Sequence, residues 1–190
     1  MSSKLVRNFA IAALVALTAF PAALHAAAAP AVGDPAPDFT LKTLDDQSVR
    51  LANLSSNGPV VLIVLRGWPG YQCPLCTAQV HNYTESAQAF ADAKATVIMV
   101  YPGPAEALKA HARDFLKNKE WPKNFVFVTD PDYTMVNAYG LRWNAKGETA
   151  YPSTFVIDQK GKIQFAKISH AHGNRTSPKD ALEALKNLGK

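Results

Sequence analysis

The sequence predicts an α/β domain with a mixed central β-sheet flanked by helices and an N-terminal β-hairpin. Three features carry that reading: the uninterrupted apolar run "PVVLIVLR" at residues 59–66, two later runs of the same character, "TVIMVY" and "FVFVT", and stretches of helical periodicity between them. A β-branched run without polar alternation is what a strand buried on both faces requires. Strands alternating with helices favour parallel pairing, because parallel neighbours need a crossover.

The elements follow in order. Residues 39–42 and 48–51 read as short strands around the turn Asp45-Asp46. Residues 60–65 form the first central strand. Val80, Tyr83, Ala87, Phe90 and Ala91 then recur at helical spacing. "TVIMVY" is the second central strand, residues 104–117 a second helix, and "FVFVT" the third strand. "DYTMVNAYG" is a short helix that Gly140 ends. "STFVID" and "KIQFAKI", joined by "QKGK", make a hairpin, and residues 178–188 a closing helix.

Residues 1–28 read as a secretory signal peptide. Lys4 and Arg7 give a basic start, an apolar run covers residues 9–20, and small residues follow through Ala26-Ala27. The run is short of the roughly 20 residues that a membrane-crossing helix needs. Residues 29–190 then form one domain of about 160 residues, expected to start near Ala26–Ala29 and to be periplasmic or secreted, with no membrane attachment after cleavage. The formal charge of +5 falls to about +3 without Lys4 and Arg7, and no dense Lys/Arg run tracks a nucleic acid.

The only cysteines, Cys73 and Cys76, lie in "RGWPGYQCPLCTAQV", at the end of the first central strand and the start of its helix. Open α/β sheets place reactive groups there, and this placement makes the element order that of a thioredoxin-like fold. A domain of this size needs no staple, and a bridge over three residues constrains the unfolded chain little. Pro74 suits the first turn of a helix, which puts Cys73 at the N-cap and Cys76 within the turn. Free N–H groups and the helix dipole stabilise a thiolate there. Cys76 shares the face of Val80, Tyr83 and Ala87 and leans toward the core, whereas Cys73 sits at the tip. By access, Cys73 is the better nucleophile toward protein disulfides and Cys76 suits a small peroxide. A copper- or zinc-handling site built from the pair with His170 or His172 is an alternative of another class.

Several segments carry a resemblance. "VGDPAPDFTLKTLDDQSVRLANL", "TDPDYTMVNAYGL" and "PSTFVIDQKGKI" resemble the AhpC/TSA peroxiredoxin-like (redoxin) branch of the thioredoxin superfamily, and the likeness covers nearly all of residues 29–190. That family's active-site pattern is Pro-x-x-x-Thr/Ser-x-x-Cys. "PGYQCPLC" matches it with Pro69 and Cys76 at the outer positions and Cys73 where the hydroxyl residue stands. The resemblance implies a thiol-dependent antioxidant oxidoreductase that reduces hydroperoxides, with Cys76 peroxidatic, Cys73 resolving and a thioredoxin-like reductant as partner; the leader makes it an exported one, and no cofactor is expected. The family's arginine, three residues before Phe155, is replaced by Pro152, and Arg66 is the candidate substitute. "YPST" also resembles the cis-proline segment that faces the Cys-x-x-Cys of thioredoxin-like oxidoreductases, which implies the alternative substrate, protein disulfides, with Pro152 beside the sulfurs.

Overall fold

The computed structural model describes residues 28–188. The signal-peptide reading, apart from its last residue, therefore lies outside the described residues. Within them a seven-stranded mixed sheet runs in the order β2-β1-β5-β4-β3-β6-β7. The expected fold class is the observed one.

The N-terminal hairpin is β1 (Thr40–Lys42) and β2 (Ser48–Arg50), turned through Asp46 at φ 62°. A short helix, α1 (Leu51–Asn57), follows where the sequence suggested only the end of a strand. The central strand β3 (Val60–Val64) has every residue buried. It pairs in parallel with β4 (Thr96–Gly103) and antiparallel with β6 (Ser153–Ile157). Beyond β4 lies β5 (Phe125–Pro131), parallel, and beyond β6 lies β7 (Ile163–Ile168), antiparallel.

Strand alternation divides the core in two. Val61, Ile63 and Leu65 face one layer together with Cys73, Cys76, Val80 and Tyr83, while Val60, Leu62 and Val64 face the other with Met135, Tyr139 and Phe155. Each fully buried aliphatic or aromatic side chain contributes about 1.5–3 kcal/mol relative to exposure, so β3 is anchored from both faces. Its C-terminal end is thereby a rigid platform.

The helical run after the cysteines divides at Ser86 into α2 (Pro74–Glu85) and α3 (Ala87–Asp92). Tyr83 and Phe90 stack across that break at 5.5 Å, which keeps both helices on one apolar face. The second helix is shorter than its pattern suggested: α4 spans Leu108–Leu116 and is preceded by Ala107 in the left-handed region. The short helix α5 (Thr134–Ala138) is followed by Gly140 at φ 61°. The closing helix α6 (Pro178–Lys186) opens on a capping box, Ser177 with Asp180, that satisfies two free N–H groups. Among the described residues no helix is long and apolar enough to cross a membrane.

Candidate active site

The loop between β3 and α2 aims the two sulfurs. Leu65 N donates to Val100 O and Trp68 N to Pro102 O, both at 2.9 Å, so the chain follows β4 past the end of β3. Gly67 makes that possible. It sits at φ +73°, and a Cβ there would lie 1.9 Å from the Pro102 carbonyl oxygen, a contact only glycine avoids. The far side of the loop is fastened to α4: Trp68 stacks on His111 at 3.6 Å and 9°, and Gln72 Nε2 donates to His111 O at 2.9 Å. Gln72 Oε1 in turn accepts from the buried Tyr101 hydroxyl at 2.9 Å. Pro69, expected at the substrate site, is half-buried in this loop and shapes it.

Cys73 is the N-cap of α2 and Pro74 its first residue, as the proline position implies. The Cys73 Sγ accepts from the Cys76 N–H at 3.3 Å. The two thiols are unbridged and differ in setting: Cys73 is 4% exposed and Cys76 not at all. The Cys76 thiol hydrogen bond, helped by the backbone N–H and Arg175 and opposed by burial, lowers the Cys73 thiol from 9.0 to about 5. For Cys76, burial raises the thiol well above 9.0, and its bond to Cys73 acts in the same direction. Both directions favour the charge of the pair resting on the cap sulfur rather than on the one beneath it. Burial also raises the Tyr101 phenol, and the nearby sulfurs act in the same direction, so it remains a neutral donor to Gln72.

The cation at the sulfurs is Arg175, a residue the sequence reading did not single out. Its Nη1 lies 3.4 Å from Cys76 Sγ and 2.8 Å from Gln79 Oε1, and its Nη2 lies 3.7 Å from Cys73 Sγ. Gln79 projects from the same buried face of α2 as Cys76 and Tyr83. Arg175 reaches the pair from the segment between β7 and α6, 99 and 102 residues away in the chain. A cleft of about 250 Å³ opens beside it, lined by Leu75, Gln79, Asn82, Arg175 and Thr176 among others.

Arg66 does not take the arginine's place, which corrects the expectation for it. It is 3% exposed, and its Nε binds Glu148 Oε2 at 2.6 Å while Nη2 donates to Gly147 O at 3.0 Å. Its remaining bond goes to the Tyr71 hydroxyl. A buried guanidinium needs a carboxylate, and Glu148 supplies it. Pro152 is corrected in a different way: every described peptide bond is trans. It stands just before the first residue of β6, where its missing N–H breaks no ladder bond, and its carbonyl accepts from Ser169 N at 2.8 Å. The pairing of Ser153 with Val64 keeps Pro152 beside the end of β3, one residue beyond that pair.

The metal alternative finds no support in the geometry. Among the described residues no group of three or more His, Cys, Asp or Glu is placed to hold a metal ion. His172 Nε2 is within 2.9 Å of Glu148 Oε1, and the His170 ring sits edge-on to Tyr151 at 4.8 Å.

Comparison with known proteins gives the family. The AhpC/TSA family model matches residues 32–166. A Mycobacterium tuberculosis protein named as a peroxiredoxin is 31% identical over 140 residues, covering 71% of this chain and 83% of that protein. Peroxiredoxin Bcp of Bacillus subtilis is 27% identical over 138 residues, covering 70% of this chain and 81% of its own. The crystal structure of peroxidoxin BcpB from Mycobacterium tuberculosis superposes with a TM-score of 0.65 at 24% identity, over 84% of this chain and 98% of that one, and shows the same fold. With a cysteine pair at the head of α2 and a family match over most of its length, the chain belongs to the AhpC/TSA family and is a thiol-dependent oxidoreductase on the thioredoxin fold.

Proposed function

We propose that the protein reduces hydroperoxides through a Cys73–Cys76 dithiol/disulfide cycle in which Cys73 attacks first. The observation that carries this reading is the contrast between the sulfurs, both within reach of Arg175: a Cys73 that caps the helix and has a lowered thiol, over a sealed Cys76 with a raised one. The family pattern implied the opposite order, with Cys76 first. The thiolate is the attacking species, and the geometry favours Cys73 for it.

In the cycle, the Cys73 sulfur forms a bond to one peroxide oxygen as the O–O bond breaks. The departing oxygen takes a proton and leaves as alcohol or water, and Cys73 becomes a sulfenic acid. Arg175, next to both sulfurs, stabilises the negative charge as it moves from sulfur to oxygen. The Cys76 thiol then gives up its proton, forms the S–S bond and releases water. A dithiol donor supplies the two electrons that reopen the disulfide. Tyr71 and Leu75, 49% and 45% exposed, lie two residues to either side of Cys73, an apolar rim suited to a thioredoxin-like reductant. A protein disulfide in place of the peroxide would use the same two sulfurs in the same order.

Steady-state peroxide consumption with a supplied dithiol tests the proposal. The wild type turns over and Cys73→Ser loses turnover, while Cys76→Ser still reacts once with peroxide and then depends on the donor's own thiols to reduce the Cys73 sulfenic acid, so its rate falls and rises with donor concentration. A wild type that ignores peroxide yet reduces an insulin-type protein disulfide would transfer the reading to protein substrates. Export belongs to the same proposal and is supported by the signal-peptide pattern of residues 1–28. The N-terminus of the protein purified from its native cells is expected within Ala26–Ala29; an intact Met1 would contradict it.

A further inference from the structure

Arg175 is held over the sulfurs by a chain of contacts that begins at Arg66. Glu148 sits in a loop fastened at several points: Trp143 N donates to Thr149 O at 3.1 Å, Glu148 N to Ala145 O at 3.1 Å, and Arg142 Nη1 to Trp143 O at 2.7 Å. The Thr149 hydroxyl donates back to the Arg66 carbonyl. Within that frame one Glu148 oxygen takes Arg66 Nε at 2.6 Å, and the other takes His172 Nε2 at 2.9 Å. The His172 ring also leans on Trp143, with centroids 5.2 Å apart. The last link is backbone: Arg175 Nε donates to the His172 carbonyl at 2.9 Å. The neighbouring Ser169 hydroxyl donates to Ala171 O at 2.9 Å, which tightens the same turn.

A carboxylate needed only to neutralise Arg66 would not require a second partner. His172 is otherwise an exposed loop side chain, 49% accessible, in a stretch where Ala171, Gly173 and Asn174 are also exposed. Its bond to Glu148 ties that stretch, and with it the carbonyl that orients the Arg175 guanidinium, to the buried end of the chain. From this geometry we infer that His172, seated by Glu148, is a positioning residue for the dithiol reaction: it sets Arg175 over Cys73 and Cys76. Arg66, displaced from the sulfurs, acts at the far end of the same chain. The inference rests on the dithiol reading above, and it adds residues that the family pattern around the cysteines does not contain.

The test reads the thiol rather than turnover. Alkylation of Cys73 by iodoacetamide, followed against pH in the reduced full-length protein, reports how well the thiolate is stabilised. Arg175→Gln is expected to raise the midpoint by about 1–3 pH units, the range a neighbouring opposite charge gives. His172→Phe keeps a ring against Trp143 but loses the bond to Glu148, and is expected to raise the midpoint by about 0.5–1 unit, a part of that same effect. His172→Gln, which can still donate to Glu148, returns it toward the wild type. The double variant His172→Phe/Arg175→Gln shifts no further than Arg175→Gln alone, because both changes act through one guanidinium. A His172→Phe midpoint equal to the wild type, or shifts that add in full, would overturn the inference. Because alkylation uses no peroxide, failure of peroxide turnover with these shifts intact would count against the proposed substrate and not against the positioning role.

Discussion

The two sulfurs, three residues apart in sequence, are made chemically unlike by one helical turn. Cys73 at the cap accepts hydrogen bonds from the Cys76 thiol and N–H, and Cys76 in the turn is sealed by the core. That difference has a consequence for stability. The Cys73 thiol titrates at about 5 in the folded protein against an ordinary 9.0, so between those values the unfolded chain binds a proton that the folded chain does not. Stability from Cys73 is therefore complete above about pH 9, and is lost as pH falls through about 5. Cys76 contributes with the opposite sign at higher pH, since its raised thiol keeps a proton that the unfolded chain releases. The thermal midpoint of the reduced protein, relative to Cys73→Ser, is expected to rise from pH 5 toward pH 9. A pH-independent difference would show that Cys73 is not held as a thiolate. The pair itself was legible in the sequence because both cysteines and Pro74 lie in one short segment. Arg175 was not, because its contact spans about a hundred residues and no local pattern marks it. Arg66 was misread for the complementary reason: proximity in sequence put it beside the cysteines, while burial tied it to Glu148.

Among the elements, those with a strong period were readable and those made by tertiary packing were not. The fully apolar β3 and the two hairpins appear where their patterns lie. The helix α1, "LANLSSN", has neither a clear apolar stripe nor strong helix formers throughout; what fixes it is tertiary, Leu51 buried in the cluster with Phe39, Leu41 and Leu62 and the Ala52 N–H donating to Asp38 Oδ1. The division at Ser86 and the start of α4 after the left-handed Ala107 are backbone features that a period count does not see. The loop from β3 to α2 depends on one residue in particular. Gly67→Ala places a methyl group against the Pro102 carbonyl and forces a left-handed φ on a side-chain-bearing residue. A left-handed non-glycine alone costs on the order of 1–3 kcal/mol, and the clash adds to it. A lowered denaturant midpoint together with loss of peroxide turnover is expected, since relief of the clash must move the loop that carries Cys73. Wild-type stability and activity in the Gly67→Ala protein would show that the loop does not depend on this close approach.

Across the whole molecule, the sheet order brings three distant segments to one end of β3. The cysteine loop extends from β3 itself, the Glu148 loop leads into β6, and the Arg175 segment leads out of β7. Because β6 lies next to β3 and β7 next to β6, the Glu148 carboxylate and the His172–Arg175 stretch are brought to one end of β3, where Arg175 reaches the two thiols. The two-layered core around β3 keeps that end rigid. The fold supplies the convergence, and the family match makes the chain a thiol-dependent oxidoreductase. The order in which the sulfurs act is the central claim, and the Cys76→Ser protein tests it most directly. One equivalent of hydrogen peroxide, followed by a sulfenic-acid trapping reagent and peptide mass spectrometry, is expected to label Cys73 stoichiometrically, whereas the Cys73→Ser protein treated the same way stays largely unlabelled. Rapid labelling of Cys76 in Cys73→Ser, with Cys73 inert in Cys76→Ser, would contradict the account and make the buried sulfur the one that attacks.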